Sequence, residues 1–148
     1  MNALRRIAAG FVMAALTLLT AHTQVKTGIE VLRDNHFEQL RGKRVGLVTN
    51  PTGVDRYLRS TIDILNDAPQ VSLTALFAPE HGVRGDIPAG QTVATYRDKA
   101  TGVTVHSLYG RNRKPTAAML DGVDIIVYDI QDNGCRSYTF ISTMGKVM

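Results

Sequence analysis

The sequence predicts an α/β fold, a parallel and doubly wound sheet with flanking helices. Four short apolar runs, Arg44–Thr49, Val71–Phe77, Val103–Leu108 and Asp124–Ile130, alternate with segments of helical spacing. Asp124–Ile130 is continuous and apolar, as a central parallel strand buried on both faces should be. Three of the strand ends carry polar, chemistry-bearing loops, and the carboxyl ends of such sheets are where ligands bind.

The elements follow in order. Lys26–Leu40 is expected to be an amphipathic helix, with Ile29, Leu32, Phe37 and Leu40 on one face and Gly42 as its stop. Arg44–Thr49 is the first strand. Asn50-Pro51-Thr52-Gly53 then turns the chain, because proline fixes φ and keeps Asn50 extended. Ser60 opens a second helix as its N-cap, and Asp63 stands at the capping-box position. Asp67-Ala68-Pro69 ends that helix.

Val71–Phe77 is the second strand and leads straight into Ala78-Pro79-Glu80-His81-Gly82-Val83-Arg84-Gly85. Pro88–Gly102 is polar and glycine-bearing, so a loop or short hairpin is expected there. Val103–Leu108 is the third strand, Pro115–Leu120 a short helix closed by Asp121-Gly122, and Asp124–Ile130 the last strand. Arg136–Met148 begins a final helix with Tyr138, Ile141 and Met148 broadly on one side. The chain stops inside this helix without a cap, as a piece of a longer protein would.

The 148 residues suffice for one domain. Met1–Arg6 is basic and Ile7–Leu19 is apolar but short for a bilayer span, followed by small residues at Ala21 and Thr23. Residues 1–23 are therefore expected to be a cleaved signal peptide, with the mature protein exported, periplasmic or secreted, and holding no stable membrane anchor. The formal net charge is +4, and two of the positive residues, Arg5 and Arg6, lie in that leader. No basic stripe interleaved with aromatics appears, so nucleic acid is not expected as a partner. Cys135 is the only cysteine and cannot form an intramolecular disulfide. Beside Gly134 it reads as a small buried side chain.

The loops at the strand ends bring Asn50 and Thr52, then Glu80, His81 and Arg84, then Asp129, Gln131, Asp132 and Arg136 to one edge of the sheet. Carboxylates, amides and guanidinium groups in one cleft suit a hydroxyl-rich ligand such as a sugar. Carboxylates serve as acid, base or nucleophile in glycosidic cleavage, which needs two of them or one plus a participating substrate group. Arg111, Arg113 and Lys114 form a basic cluster that would meet an acidic substituent.

No G-x-S-x-G elbow, phosphate loop or G-x-G-x-x-G fingerprint is present, so no nucleotide cofactor is expected. Glu80, His81, His106, Asp129 and Asp132 lack any H-E-x-x-H or C-x-x-C spacing, so no metal is assigned to them.

Several motifs stand in one order: Gly46-Leu47-Val48-Thr49-Asn50-Pro51-Thr52-Gly53-Val54, Arg59-Ser60-Thr61-Ile62-Asp63, Phe77 to Gly85, Ser107-Leu108-Tyr109-Gly110, Asp129-Ile130-Gln131-Asp132 and Arg136 to Met144. Together they resemble the exo-β-N-acetylmuramidases, the DUF1343 proteins. The resemblance implies a Rossmann-like parallel sheet with flanking helices, incomplete at the C-terminus, for residues 24–148. It also implies a C-terminal domain absent from this chain, with the active site in the cleft between the two. It implies release of N-acetylmuramic acid from the non-reducing end of peptidoglycan fragments, with Glu80 as catalytic carboxylate and His81 beside it. A second acidic group is expected beyond Met148, and the basic residues gain a partner in the lactyl carboxylate of the muramic sugar.

On this reading Glu80 is a general acid oriented by His81 and Arg84, and Asn50, Thr52, Asp129, Gln131, Asp132 and Arg136 contact the sugar. Two other readings stay open: a non-catalytic muramic-sugar-binding module and a metal-dependent hydrolase.

Overall fold

Val45, Leu47 and Val48 are wholly shielded from solvent because the strand that carries them, β1 (Arg44–Thr49), is paired on both edges and covered on both faces. The computed structural model describes residues 25–88, 90–91 and 94–148. The expected signal segment 1–23 and its cleavage site lie outside the described residues.

Five strands form one sheet in the order β3-β4-β2-β1-β5: β2 is Ser72–Ala78, β3 Tyr96–Arg97, β4 Thr104–Ser107 and β5 Ile125–Asp129. β1 runs parallel to β2 and to β5, and β2 parallel to β4. The two-residue β3 is antiparallel to β4 and supplies the short hairpin expected before Gly102. The chain steps from β1 through β2 to β4, then returns to the other side of β1 as β5. That reversal places a topological switch point between the carboxyl ends of β1 and β5.

Alternate residues of β1 feed two cores. Val45 and Leu47 join Leu76, Val105, Ile62, Leu65, Ile29 and Phe37 on one face, beneath α1 (Gly28–Asp34) and α2 (Thr61–Asn66). Val48 joins Ala75, Phe77 and Leu108 on the other, beneath α3 (Ala117–Leu120) and α4 (Phe140–Val147). Gly46 lies on that second face because a Cβ there would come within 2.9 Å of the Phe77 ring. Helices on both faces make the sheet doubly wound.

Four expectations need correction. The Lys26–Leu40 helix ends at Asp34. His36 and Phe37 then turn left-handed, with φ of 52° and 53°, which drops Phe37 into the core, and Glu38–Leu40 forms a separate 3₁₀ turn. Burial of one aromatic ring overrides the helical period there.

β5 is an edge strand and half-buried throughout, not central, among the described residues. Its apolar run reflects covered faces, not a paired outer edge. In α4 the buried residues are Phe140 and Thr143, while Ile141, Tyr138 and Met148 are exposed. Cys135 is exposed as well, in the loop after β5.

Candidate active site

β2 ends against Pro79, which has no N–H to continue the ladder. A turn follows, in which the Gly82 N–H donates to the Pro79 carbonyl at 3.3 Å. The turn requires His81 to adopt φ of 72°, a left-handed conformation that only glycine takes freely. The preceding residue, Glu80, is half-buried.

Glu80 lines a cavity of about 380 Å³, with Leu108, Tyr109, Arg113, Thr139, Ser142, Thr143 and Lys146. The cavity lies between the carboxyl ends of β2 and β4 and one side of α4, from Thr139 to Lys146. Its volume is within the range of small-ligand sites. Among the described residues, Glu80 is the one carboxylate that lines it. Tyr109 lines the cavity with Glu80, and interaction with that carboxylate and its charge pushes the phenol's pKa up.

The other expected site residues are distributed around this cavity rather than inside it. Asn50 is buried, and its side-chain oxygen accepts from the Thr52 N–H at 2.9 Å and the Thr52 hydroxyl at 2.6 Å. The Thr52 oxygen in turn accepts from the Gln131 N–H at 2.8 Å. The Asp129 carboxylate accepts from the Thr61 hydroxyl. These bonds, with Thr61 at the start of α2 as the fifth residue, latch the loops at the switch point together.

Gln131 and Asp132 are exposed, and Asp132 closes its own turn by accepting from the Gly134 N–H at 2.6 Å. Arg136 is exposed on the same loop. His81 is exposed too, with Nδ1 3.2 Å from the Ile87 carbonyl.

Arg84 is engaged elsewhere. Its guanidinium donates to both oxygens of Asp98, at 2.6 and 2.8 Å, and to both of Asp63, at 3.3 and 2.8 Å. Asp98 is buried and also accepts from the Thr101 N–H and hydroxyl. The guanidinium beside it holds the Asp98 carboxyl down at about 2. Asp63 therefore serves Arg84, and the Ser60 hydroxyl caps α2 alone by accepting from the Ile62 N–H at 3.2 Å. The bidentate pairs pin the glycine-rich segment after Glu80 to α2 and to the loop after β3.

Tyr109 and the wall formed by α4 were not assigned roles from the sequence. Thr139, Ser142, Thr143 and Lys146 recur at i, i+3, i+4 and i+7, which puts them on one polar stripe of a helix. That spacing is present in the sequence, but the apolar Tyr138, Ile141 and Met148 point to a different face of the helix. His106, on β4, stacks on Phe77 with ring centroids 5.6 Å apart, and burial pushes its pKa down. Among the described residues, no three His, Cys, Asp or Glu side chains are grouped to hold a metal. No described helix is long and apolar enough to cross a membrane.

Together these features define a doubly wound, Rossmann-like domain with a carboxylate presented at a strand end inside a polar cavity. The family model for the N-terminal part of the exo-β-N-acetylmuramidase NamZ matches residues 45–148, and the chain belongs to that family. It is 55% identical over 125 residues to the peptidoglycan β-N-acetylmuramidase NamZ of Bacillus subtilis (strain 168), covering 84% of this chain and 30% of that protein.

Two crystal structures of DUF1343 family proteins from Bacteroides fragilis NCTC 9343 have the same fold. One superposes with a TM-score of 0.75 at 62% identity over 83% of this chain, the other with 0.65 at 34% over 82%. The chain spans 30% of the length of each of these relatives.

Proposed function

We propose that the protein carrying this segment is an exported exo-β-N-acetylmuramidase. It releases N-acetylmuramic acid from the non-reducing end of peptidoglycan fragments during cell-wall turnover or recycling. The observation that carries this reading is Glu80: a carboxylate at the end of β2, next to a left-handed turn, in a polar cavity that it lines with Tyr109. Similarity to the B. subtilis muramidase supplies the substrate class.

In this scheme Glu80 delivers a proton to the glycosidic oxygen as its bond to the anomeric carbon breaks, and the oxygen of a water molecule bonds to that carbon in its place, giving up a proton. The Tyr109 hydroxyl orients the acid and stabilises the carboxylate that remains. The hydroxyls of Thr139, Ser142 and Thr143 face the sugar. Asn50, Thr52, Asp129 and Gln131 act at one remove, by holding the loops that frame the cleft, and Asp132 and Arg136 contact more distant parts of the substrate. His81 fixes the turn. Export is supported by the basic Met1–Arg6 stretch and the apolar Ile7–Leu19 run.

The test is product analysis with the full-length protein on muropeptide-derived oligosaccharides of defined length. Stepwise appearance of free N-acetylmuramic acid from non-reducing ends is expected. Internal cleavage, or no cleavage, would overturn the reading.

A further inference from the structure

We propose that Arg113 and Lys146 form a carboxylate-binding edge of the Glu80 cavity and set its preference for an anionic sugar. The proposal rests on the muramidase reading and names the group that confers its specificity. Arg113 lies in the loop between β4 and α3, and Lys146 in the last turn of α4, so the two cations reach the cavity from separate elements. Neither forms an ion pair among the described residues, whereas Arg33, Arg44, Arg56, Arg59 and Arg84 are all paired with carboxylates.

The charge balance of the cavity is therefore unmet. Two cations face one carboxylate, and the excess grows when Glu80 carries the proton it must donate. A ligand with one negative charge restores the balance.

N-acetylmuramic acid and N-acetylglucosamine differ by one group, a lactyl ether that ends in a carboxylate and carries a methyl. A guanidinium binds such a carboxylate through two parallel hydrogen bonds, and an ammonium adds a point charge. Leu108, an apolar residue of the same lining, suits the methyl. The other cations of the loop are set apart: Arg111 lines a separate, smaller cavity with Asn112 and Met119, and Lys114 lines neither.

The experiment uses the full-length protein and two chromogenic β-glycosides, of N-acetylmuramic acid and of N-acetylglucosamine. Arg113→Gln and Lys146→Gln should each lower the ratio of kcat/KM for the muramyl over the glucosaminyl substrate by about tenfold, chiefly through KM. Arg113→Lys should restore part of the loss. An unchanged ratio in the double variant would overturn the proposal.

A second arm measures calorimetric binding of the two free sugars to Glu80→Gln protein, with and without the two cation substitutions. The preference for N-acetylmuramic acid should disappear with the cations, and its persistence would overturn the proposal. If the wild-type protein hydrolyses neither glycoside, the muramidase reading fails, and this binding arm still judges the cation pair.

Discussion

The Thr52 side-chain oxygen accepts a hydrogen bond from the Gln131 N–H at 2.8 Å, tying the loop after β1 to the loop after β5. Three residues before Thr52, the Thr49 hydroxyl donates to the Asp129 carbonyl at 2.8 Å. The two bonds close the sheet at the switch point. Gly53 fits beneath them only because it has no side chain: a Cβ would lie 2.2 Å from the Thr49 Oγ1 and 2.7 Å from the Asp129 carbonyl oxygen. Gly53→Ala should destabilise the full-length protein by about 2 kcal/mol through overpacking. Urea unfolding checks this, and a midpoint at the wild-type value would show that the latch is loose.

Arg84→Met would leave buried Asp98 without its guanidinium. A loss of about 2–3 kcal/mol near neutral pH is expected, less than for a fully buried pair because Arg84 is partly exposed. The Asp98 carboxyl is lowered from 3.8 to about 2 in the folded protein. Its contribution is therefore complete above pH 3.8 and lost as pH falls through 2. The stability gap between wild type and Arg84→Met should narrow over that interval. A gap constant with pH would contradict the assignment of Arg84 to Asp98.

His81 tests the strain in the turn. His81→Gly relieves the left-handed backbone and should leave stability equal or higher, despite loss of the contact to the Ile87 carbonyl. His81→Val, β-branched at the same φ, should destabilise by about 1–2 kcal/mol. The two melting temperatures, compared with wild type, decide it. Equal effects of both substitutions would show that the backbone is unstrained.

Tyr109→Phe removes the phenol that faces Glu80 while keeping the ring. In the muramidase scheme kcat should fall about tenfold with the fold intact, as loss of one positioned donor does. A retained kcat would remove Tyr109 from the chemistry and leave it as cavity wall.

The strands were legible because covering a strand on two faces demands an unbroken apolar run, as at Arg44–Thr49 and Val71–Phe77. Glu80 was legible because it directly follows such a run. What sequence could not report was competition for partners. Arg84 and Asp63 are twenty-one residues apart, and nothing local to either reveals that Arg84 pairs with Asp63 and with buried Asp98 at once. Asn50 and Thr52 likewise bond to each other, and Thr52 to the Gln131 backbone. The break after Asp34 depends on where Phe37 finds a core, a tertiary matter. Lys146 was hidden differently: its stripe was visible, but only the fold shows that the polar side of α4 faces Glu80.

The most direct test is Glu80→Gln in the full-length protein, measured for N-acetylmuramic acid release alongside binding of the same sugar. The substitution keeps the shape of the side chain and removes the acid. Turnover should fall by a factor on the order of a thousand while binding persists. Undiminished release of N-acetylmuramic acid by this variant would contradict the account.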